Sequence, residues 1–421
     1  IYKSTGLMYV MQGKLATALP FLDTAYTKLK GTPDFDLKLV QCYFNCLLDV
    51  SKTEKVLELA DEAQEMFPED RAIKVSKASA LRSVGKREES LKLLEELIKD
   101  HPEEAIIYRI KADVLGDRDP IKALPFYEKA LELSIKRHNK PDPAIQWNMS
   151  LHLLRVRDIA RGWECWEQGF HPAVGTMGRN MPHRIKSLKR ADKQDVKLDQ
   201  DKWTIVISEQ GIGDQVLFLS VMNEAIKEFK KILFIAESRM HPILQRSFPN
   251  LLIAGAGMTY HWENCPLKKN GYIPLGSLPG RYRPDVESFE KRRAPFLLAD
   301  RDKYSKYRKI LKAKSEGRPI IGISWKGGYW AVQRKTKQLE LENWLPIFKK
   351  DAMYVNLQYG DVSEEVKFMQ ERKQEIYFFQ KLDFKRDLDD WLAIAGACDG
   401  IISVSTALVH FAGAIGQKVA V

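Results

Sequence analysis

At 421 residues the chain is too long for one ordinary core, and two or three domains are expected. Hydrophobic residues at 44% and charged residues at 29% describe a folded, water-exposed protein and exclude a disordered one. The net charge of +11 is concentrated in Arg179–Lys202 and Lys268–Arg318, and such basic surfaces attract phosphate in any form. No stretch approaches a membrane span, and Ile1–Gln12 lacks the layout of a signal peptide. The first residue is not Met and Lys418–Val421 reads as a strand cut short, so both natural termini are expected to lie beyond this sequence. Five scattered cysteines suit a reducing cytoplasm better than a disulfide framework. Cys42 and Cys46, four apart on an expected helix, read as small core residues before metal ligands.

Prolines Pro33, Pro68 and Pro102 recur at intervals of 35 and 34 residues, each closing an amphipathic helical stretch. Small or medium residues recur at matching places: Ala18/Ala25, Val56/Ala63, Ser90/Leu97, Ala123/Ala130 and Gly162/Gly169. The segment Asp119–Leu133 carries the pattern most clearly, and there the chain resembles the tetratricopeptide repeat, a helix–turn–helix unit. About five units fit between Tyr2 and Phe170. One helix pair cannot cover its own apolar face, so such pairs stack into a solenoid with a concave groove. The resemblance implies that the groove binds a peptide or another protein; buttressing of the second half is the plainer alternative. Trp147, Trp163 and Trp166 read as packing residues toward the next domain, with a stacking platform as the other possibility.

His171–Lys202 has little periodicity and reads as a basic linker. Arg179, His183, Arg184, Lys186, Lys189 and Arg190 cluster there, but the lack of aromatics argues against single-stranded nucleic acid as a partner.

Trp203–Phe218 then reads as an apolar strand (204–208), a turn through Gly211 and Gly213, and a helix opening at Asp214. The two glycines are expected to let the backbone reverse with positive φ and to admit a ligand close to the main chain. Further strands fit 231–236, 251–254, 319–324, 353–358, 376–379 and 400–404, while 272–278 and 279–284 read as loop and turn. Helices fit 241–248, 303–314, 341–349, 364–372 and 388–396. Continuous apolar strands imply parallel pairing with both faces covered. Two such series imply two facing lobes.

A dinucleotide dehydrogenase is the first rival. Gly211-Ile-Gly213 supplies two of its three glycines, with Val216 where the third belongs and Glu237 as a candidate ribose-binding acid. Asp214 at the helix start would repel a pyrophosphate, which counts against it.

Glu209–Phe218, Gly322–Gly328, Asn356–Gly360 and Ala397–Gly416, in that order, resemble bacterial tetratricopeptide-containing glycosyltransferases related to the heptosyltransferases of lipopolysaccharide synthesis. Gly162–Glu167 and Pro274–Pro279 are similar to that group as well, so the resemblance spans roughly Gln146–Val421. It implies a tetratricopeptide-type solenoid (1–170) and a basic linker (171–202). A GT-B fold of two Rossmann-like lobes would follow, acceptor side 203–300 and donor side 301–421, the second lobe lacking its closing elements. It also implies inverting transfer from a nucleotide sugar to a protein or surface-glycan acceptor, without cofactor or metal. Asp214 would be the base, with Gln210, Gly211 and Gly213 in the acceptor-side loop. Lys326, Gly327, Gly328, Lys337, Gln358, Ser405, Thr406 and His410 would hold the donor. Relatives carry Asp-Thr where this chain has Ser405-Thr406, so an inactive scaffold is the alternative. The triplets Asp34–Asp36, Asp117–Asp119, Asp300–Asp302 and Asp387–Asp389 fall in expected caps and linkers rather than in a metal site.

Overall fold

Aspartates start several of the N-terminal helices. In the computed structural model Asp36, Asp70, Asp119 and Asp142 accept the first free backbone amides of the helices they precede, with Pro120 and Pro143 at the first helical position. The structure describes residues 1–179, 188–192, 197–255, 267–290, 295–327, 339, 341–348 and 351–421.

Ten helices follow in five pairs: α1 (Tyr2–Met11) with α2 (Leu15–Leu29), α3 (Leu37–Asp49) with α4 (Thr53–Met66), α5 (Arg71–Ser83) with α6 (Arg87–Asp100), α7 (Ala105–Gly116) with α8 (Pro120–His138), and α9 (Pro143–Arg155) with α10 (Ile159–Trp166). Successive first helices touch one another, and each second helix packs on the first helix of the next unit. Every recurring small residue lies in these seams: Ala18, Ala25, Val56, Ala63, Ser90, Leu97, Ala123 and Ala130 are all at most 2% exposed. Where a glycine takes the place, the approach is closer still. A Cβ on Gly162 would meet Leu154 Cδ2 at 2.7 Å, and one on Gly6 would meet Leu22 Cδ2 at 2.5 Å. Polar pairs one repeat apart stitch the units, as in Lys3–Asp36, Arg71–Glu104 and Arg82–Asp117. Exposed pairs of this kind contribute at most about 1 kcal/mol each, so the seams dominate. Ala130→Leu should therefore cost about 1–3 kcal/mol by overpacking, read as a lower denaturation midpoint of the array.

The array ends in an aromatic cluster. Trp147 lies 4.7 Å from Trp166, and Trp163 meets Trp166 edge-on at 6.3 Å. These tryptophans pack on one another and on Arg179, so they form an internal plug and not an open platform. Arg179, expected in the basic linker, is buried within the first unit: it pairs with Glu167 at 2.9 Å and stacks over Phe170 at 4.1 Å. The first compact unit consequently runs to Arg179, past the expected limit at 170. His183, Arg184 and Lys186 lie outside the described residues.

The second unit holds two parallel sheets. The first has order β3-β2-β1-β4, from β1 (Trp203–Ile207), β2 (Ile232–Ala236), β3 (Leu252–Gly255) and β4 (Lys269–Pro274). Helices α11 (Ile212–Leu219), α12 (Met222–Phe229), α13 (His241–Ser247), α14 (Leu278–Tyr282) and α15 (Val286–Glu290) accompany it. The second has order β7-β6-β5-β8-β9, from β5 (Ile320–Ser324), β6 (Met353–Asn356), β7 (Ile376–Tyr377), β8 (Gly400–Ser403) and β9 (Val419–Ala420). Its helices are α16 (Arg301–Ser315), α17 (Leu345–Phe348), α18 (Ser363–Glu371), α19 (Leu388–Ala397) and α20 (Ala407–Ala414). Apolar runs such as Ile205–Ile207 and Ile232–Ala236 are buried because parallel strands are covered on both faces.

Two sequence expectations change here. Residues 269–274 form β4, paired with β1, where a loop was expected from Tyr272 onward, and 278–282 are helical instead of a turn. Part of the expected linker also belongs to this lobe. The Ala191 amide donates to the Tyr272 carbonyl at 2.8 Å, and the Tyr272 amide donates to Lys189 O at 3.0 Å, so the segment flanks β4. Gly271 takes φ +141° there, and a Cβ would meet Lys189 O at 2.3 Å. Arg190 is closed onto Asp192.

Candidate functional site

Strand β1 ends in Ser208-Glu209-Gln210-Gly211, and α11 begins at once. The left-handed residue of this turn is Gln210 (φ 63°), not either glycine. Gly211 is extended, with φ −66° and ψ 158°, and Gly213 lies within the helix. The expectation that the glycines supply positive φ is thus corrected. Gln215 holds the strained residue by donating from Nε2 to Gln210 O at 3.1 Å.

What the turn requires of Gly213 is closeness. A Cβ there would lie 3.1 Å from His410 Cδ2 and 3.2 Å from Ala407 Cα, because α11 of the first lobe packs directly on α20 of the second. Gly213→Val should force these helices apart and cost about 1–3 kcal/mol, seen as a lower unfolding midpoint of the second unit. Asp214, one residue further, is exposed. Its Oδ2 accepts the Gly211 amide at 3.2 Å, the second half of a capping box. Capping therefore occupies one carboxylate oxygen. Glu209, behind the turn, is 5% exposed and accepts the Gly276 amide at 3.0 Å, which fixes the turn to the segment after β4.

On the second lobe, β5 runs into Trp325-Lys326-Gly327. The Gln358 side chain, 2% exposed, organises this bend. Its Oε1 accepts from Ser324 Oγ at 2.9 Å, Trp325 N at 3.1 Å and Lys326 N at 3.0 Å. Its Nε2 donates to Tyr359 O at 3.1 Å. The Gln358 side chain thus positions the turn, and the same residue lines the cavity beside it. Lys326 Nζ is engaged by Glu365 and by Asp361 O at 3.0 Å. A Cβ on Gly327 would meet Thr406 Cγ2 at 2.6 Å, so bare backbone lies against the start of α20. Thr406 is the N-cap of that helix, accepting the Leu408 amide at 3.3 Å, and Ser405 beside it is exposed. Gly328 and Lys337 lie outside the described residues.

Of the candidate site residues, Gln210, Gly211, Gly213, Asp214, Ser405, Thr406, His410, Gly327 and Lys326 are gathered at the carboxyl ends of β1, β5 and β8. This is where open parallel sheets hold ligands. Beside them a cavity of about 960 Å³ runs along β6 and β7, from Arg318, Ala352 and Glu375 at their amino ends to Gln358, Gly360 and Phe384 beyond the carboxyl end of β6. The apolar runs of β6 and β7 gave no sign of it, since its walls come from segments far apart in the sequence.

The aspartate triplets are spent on structure. Asp36, Asp119 and Asp300 cap helices, Asp117 pairs with Arg82, and Asp389 pairs with Arg246 and Lys303. Burial pushes the Cys46 thiol up to about 12, as expected of a small core residue. Among the described residues no helix is long and apolar enough to cross a membrane.

The fold defines the class: a helical-repeat array of the tetratricopeptide type followed by two Rossmann-like lobes. No family model matches the chain. It is similar to Protein FlbA of Caulobacter vibrioides, 26% identical over 390 residues, a match that covers 81% of this chain and 64% of FlbA. The chain thus spans just under two thirds of that relative. Among solved structures it is similar to the Thermus thermophilus TPR protein TTC0263, with 17% identity, TM-score 0.34, and 40% of this chain and 87% of that one covered. MamA of Desulfovibrio magneticus RS-1 is 16% identical with TM-score 0.30, covering 40% of this chain and 90% of its own.

Proposed function

We propose that the chain is a GT-B glycosyltransferase that moves a sugar from a nucleotide-sugar donor to a protein or surface-glycan acceptor, with inversion. The observation that carries this reading is the contact of Gly213 with Ala407 and His410 of α20, which brings the turn that carries Asp214 in one lobe against the donor-side helix of the other. In the reaction, the Asp214 carboxylate takes the proton of the acceptor hydroxyl as that oxygen bonds to the anomeric carbon. The bond from that carbon to the donor phosphate oxygen breaks, and its electron pair leaves on the nucleoside diphosphate. The amides at the start of α20 favour a diphosphate there. The repeat array is assigned protein binding, which would raise the local concentration of an acceptor peptide.

A screen of UDP-, GDP-, ADP- and CDP-sugars, read by release of nucleotide with and without cell-extract acceptors, tests this. One donor consumed above background is expected. No donor bound or consumed overturns it. A second reading, a scaffold whose lobes have lost turnover, is favoured by Ser405 in the place of the relatives' acid and by the engagement of Lys326 with Glu365. It predicts donor binding with no release.

A further inference from the structure

We propose that the cation that meets the donor diphosphate is Lys385, poised over the bare backbone of Gly360, and that Lys326 is a positioning residue. The inference rests on the transferase reading and adds to it a residue that sequence resemblance does not single out.

Two lysines flank the Gly360-Asp361 turn at the carboxyl end of β6. One is neutralised: Lys326 Nζ is taken by Glu365 and by the Asp361 carbonyl at 3.0 Å. The other is not. A Cβ built on Gly360 would lie 3.6 Å from Lys385 Cε and 3.7 Å from its Nζ, yet among the described residues that ammonium makes no hydrogen bond or ion pair. Gly360 has φ +84°, a conformation that disfavours a side chain and leaves the main chain bare under the lysine.

The Lys385 backbone is held on several sides. Arg239 of the first lobe donates to its carbonyl, its amide donates to Asp383 Oδ1 at 2.9 Å, and the preceding Phe384 is buried beside Trp391. Gly360, Asp383 and Phe384 also line the cavity of about 960 Å³, a volume sufficient for a nucleoside. A base seated at the end of that cavity lined by Gly360, Asp383 and Phe384 would bring its phosphates out past Gly360, under the Lys385 ammonium.

The test is calorimetric titration of the whole chain with UDP, ADP, GDP and CDP. Lys385→Ala should weaken the best-bound diphosphate about 10- to 100-fold, as loss of a charge-assisted contact does. Lys385→Arg should recover most of the affinity, and Lys381→Ala, a surface lysine of the same loop, should change nothing. Thermal midpoints of all variants should match wild type, which separates ligand contact from folding. If Lys385→Ala binds as wild type does while Lys326→Ala fails, this assignment is overturned and the transferase reading stands. If wild type binds none of the four diphosphates, both are overturned.

Discussion

Gln358→Leu should destabilise the second unit by several kcal/mol and abolish donor binding with it. The three donors that converge on Oε1, Ser324 Oγ and the amides of Trp325 and Lys326, lie at or beside a core where Ser324 and Trp325 are at most 2% exposed. Each buried donor left without an acceptor costs about 1–3 kcal/mol, and leucine offers none of them a partner. Gln358→Glu keeps the acceptor and should recover part of the loss, though its second oxygen faces the Tyr359 carbonyl that the amide now serves. Denaturant midpoints of the two variants, followed by intrinsic tryptophan fluorescence, check this. Equal stability of Gln358→Leu and wild type would mean that the turn is held by other contacts.

Asp214→Asn should lower turnover by about 100- to 10,000-fold, the usual contribution of a positioned general base. The amide keeps the shape of the side chain and an oxygen that can still accept the Gly211 amide, so that capping hydrogen bond survives. Stability should change by about 1 kcal/mol or less, in line with loss of a charge at a helix start. A large fall in stability with proportionate loss of donor binding would instead assign Asp214 to capping alone.

Much of the repeat array is legible in the sequence. The proline spacing marks the joins, and Ala18/Ala25 and Ala123/Ala130 mark the seams, since residues at an interhelical crossing must be small in every unit. The strands that are fully covered are equally plain, because Ile205–Ile207 and Ile232–Ala236 are uninterrupted apolar runs. β4 is not. Lys269-Asn-Gly-Tyr-Ile-Pro274 lies at the edge of its sheet, and half of what it needs is supplied by residues 189–191, remote in sequence.

The site divides the same way. Gly213, Gly327, Thr406 and His410 are named from local motifs, and the fold sets Gly213 against His410 and Gly327 against Thr406. The reason for Gly213 is tertiary, however: its missing Cβ matters because α20 is there, which no local pattern records. Gln358 stood out as a motif residue, but its inward direction follows from the bend after β5. Lys385 is one lysine in a charged loop, and only its distance from Gly360 distinguishes it from Lys381. Arg179 shows the converse, since a cation counted with a basic cluster is spent on Glu167 and Phe170 inside the first unit.

The most direct measurement of the central claim is the donor dissociation constant and the turnover number determined side by side for wild type and Asp214→Asn. The sugar nucleotide should be the one that the donor screen identifies. The predicted result is an unchanged dissociation constant with turnover reduced at least about 100-fold. Equal turnover in the two proteins, or no nucleotide sugar bound by either, would contradict it.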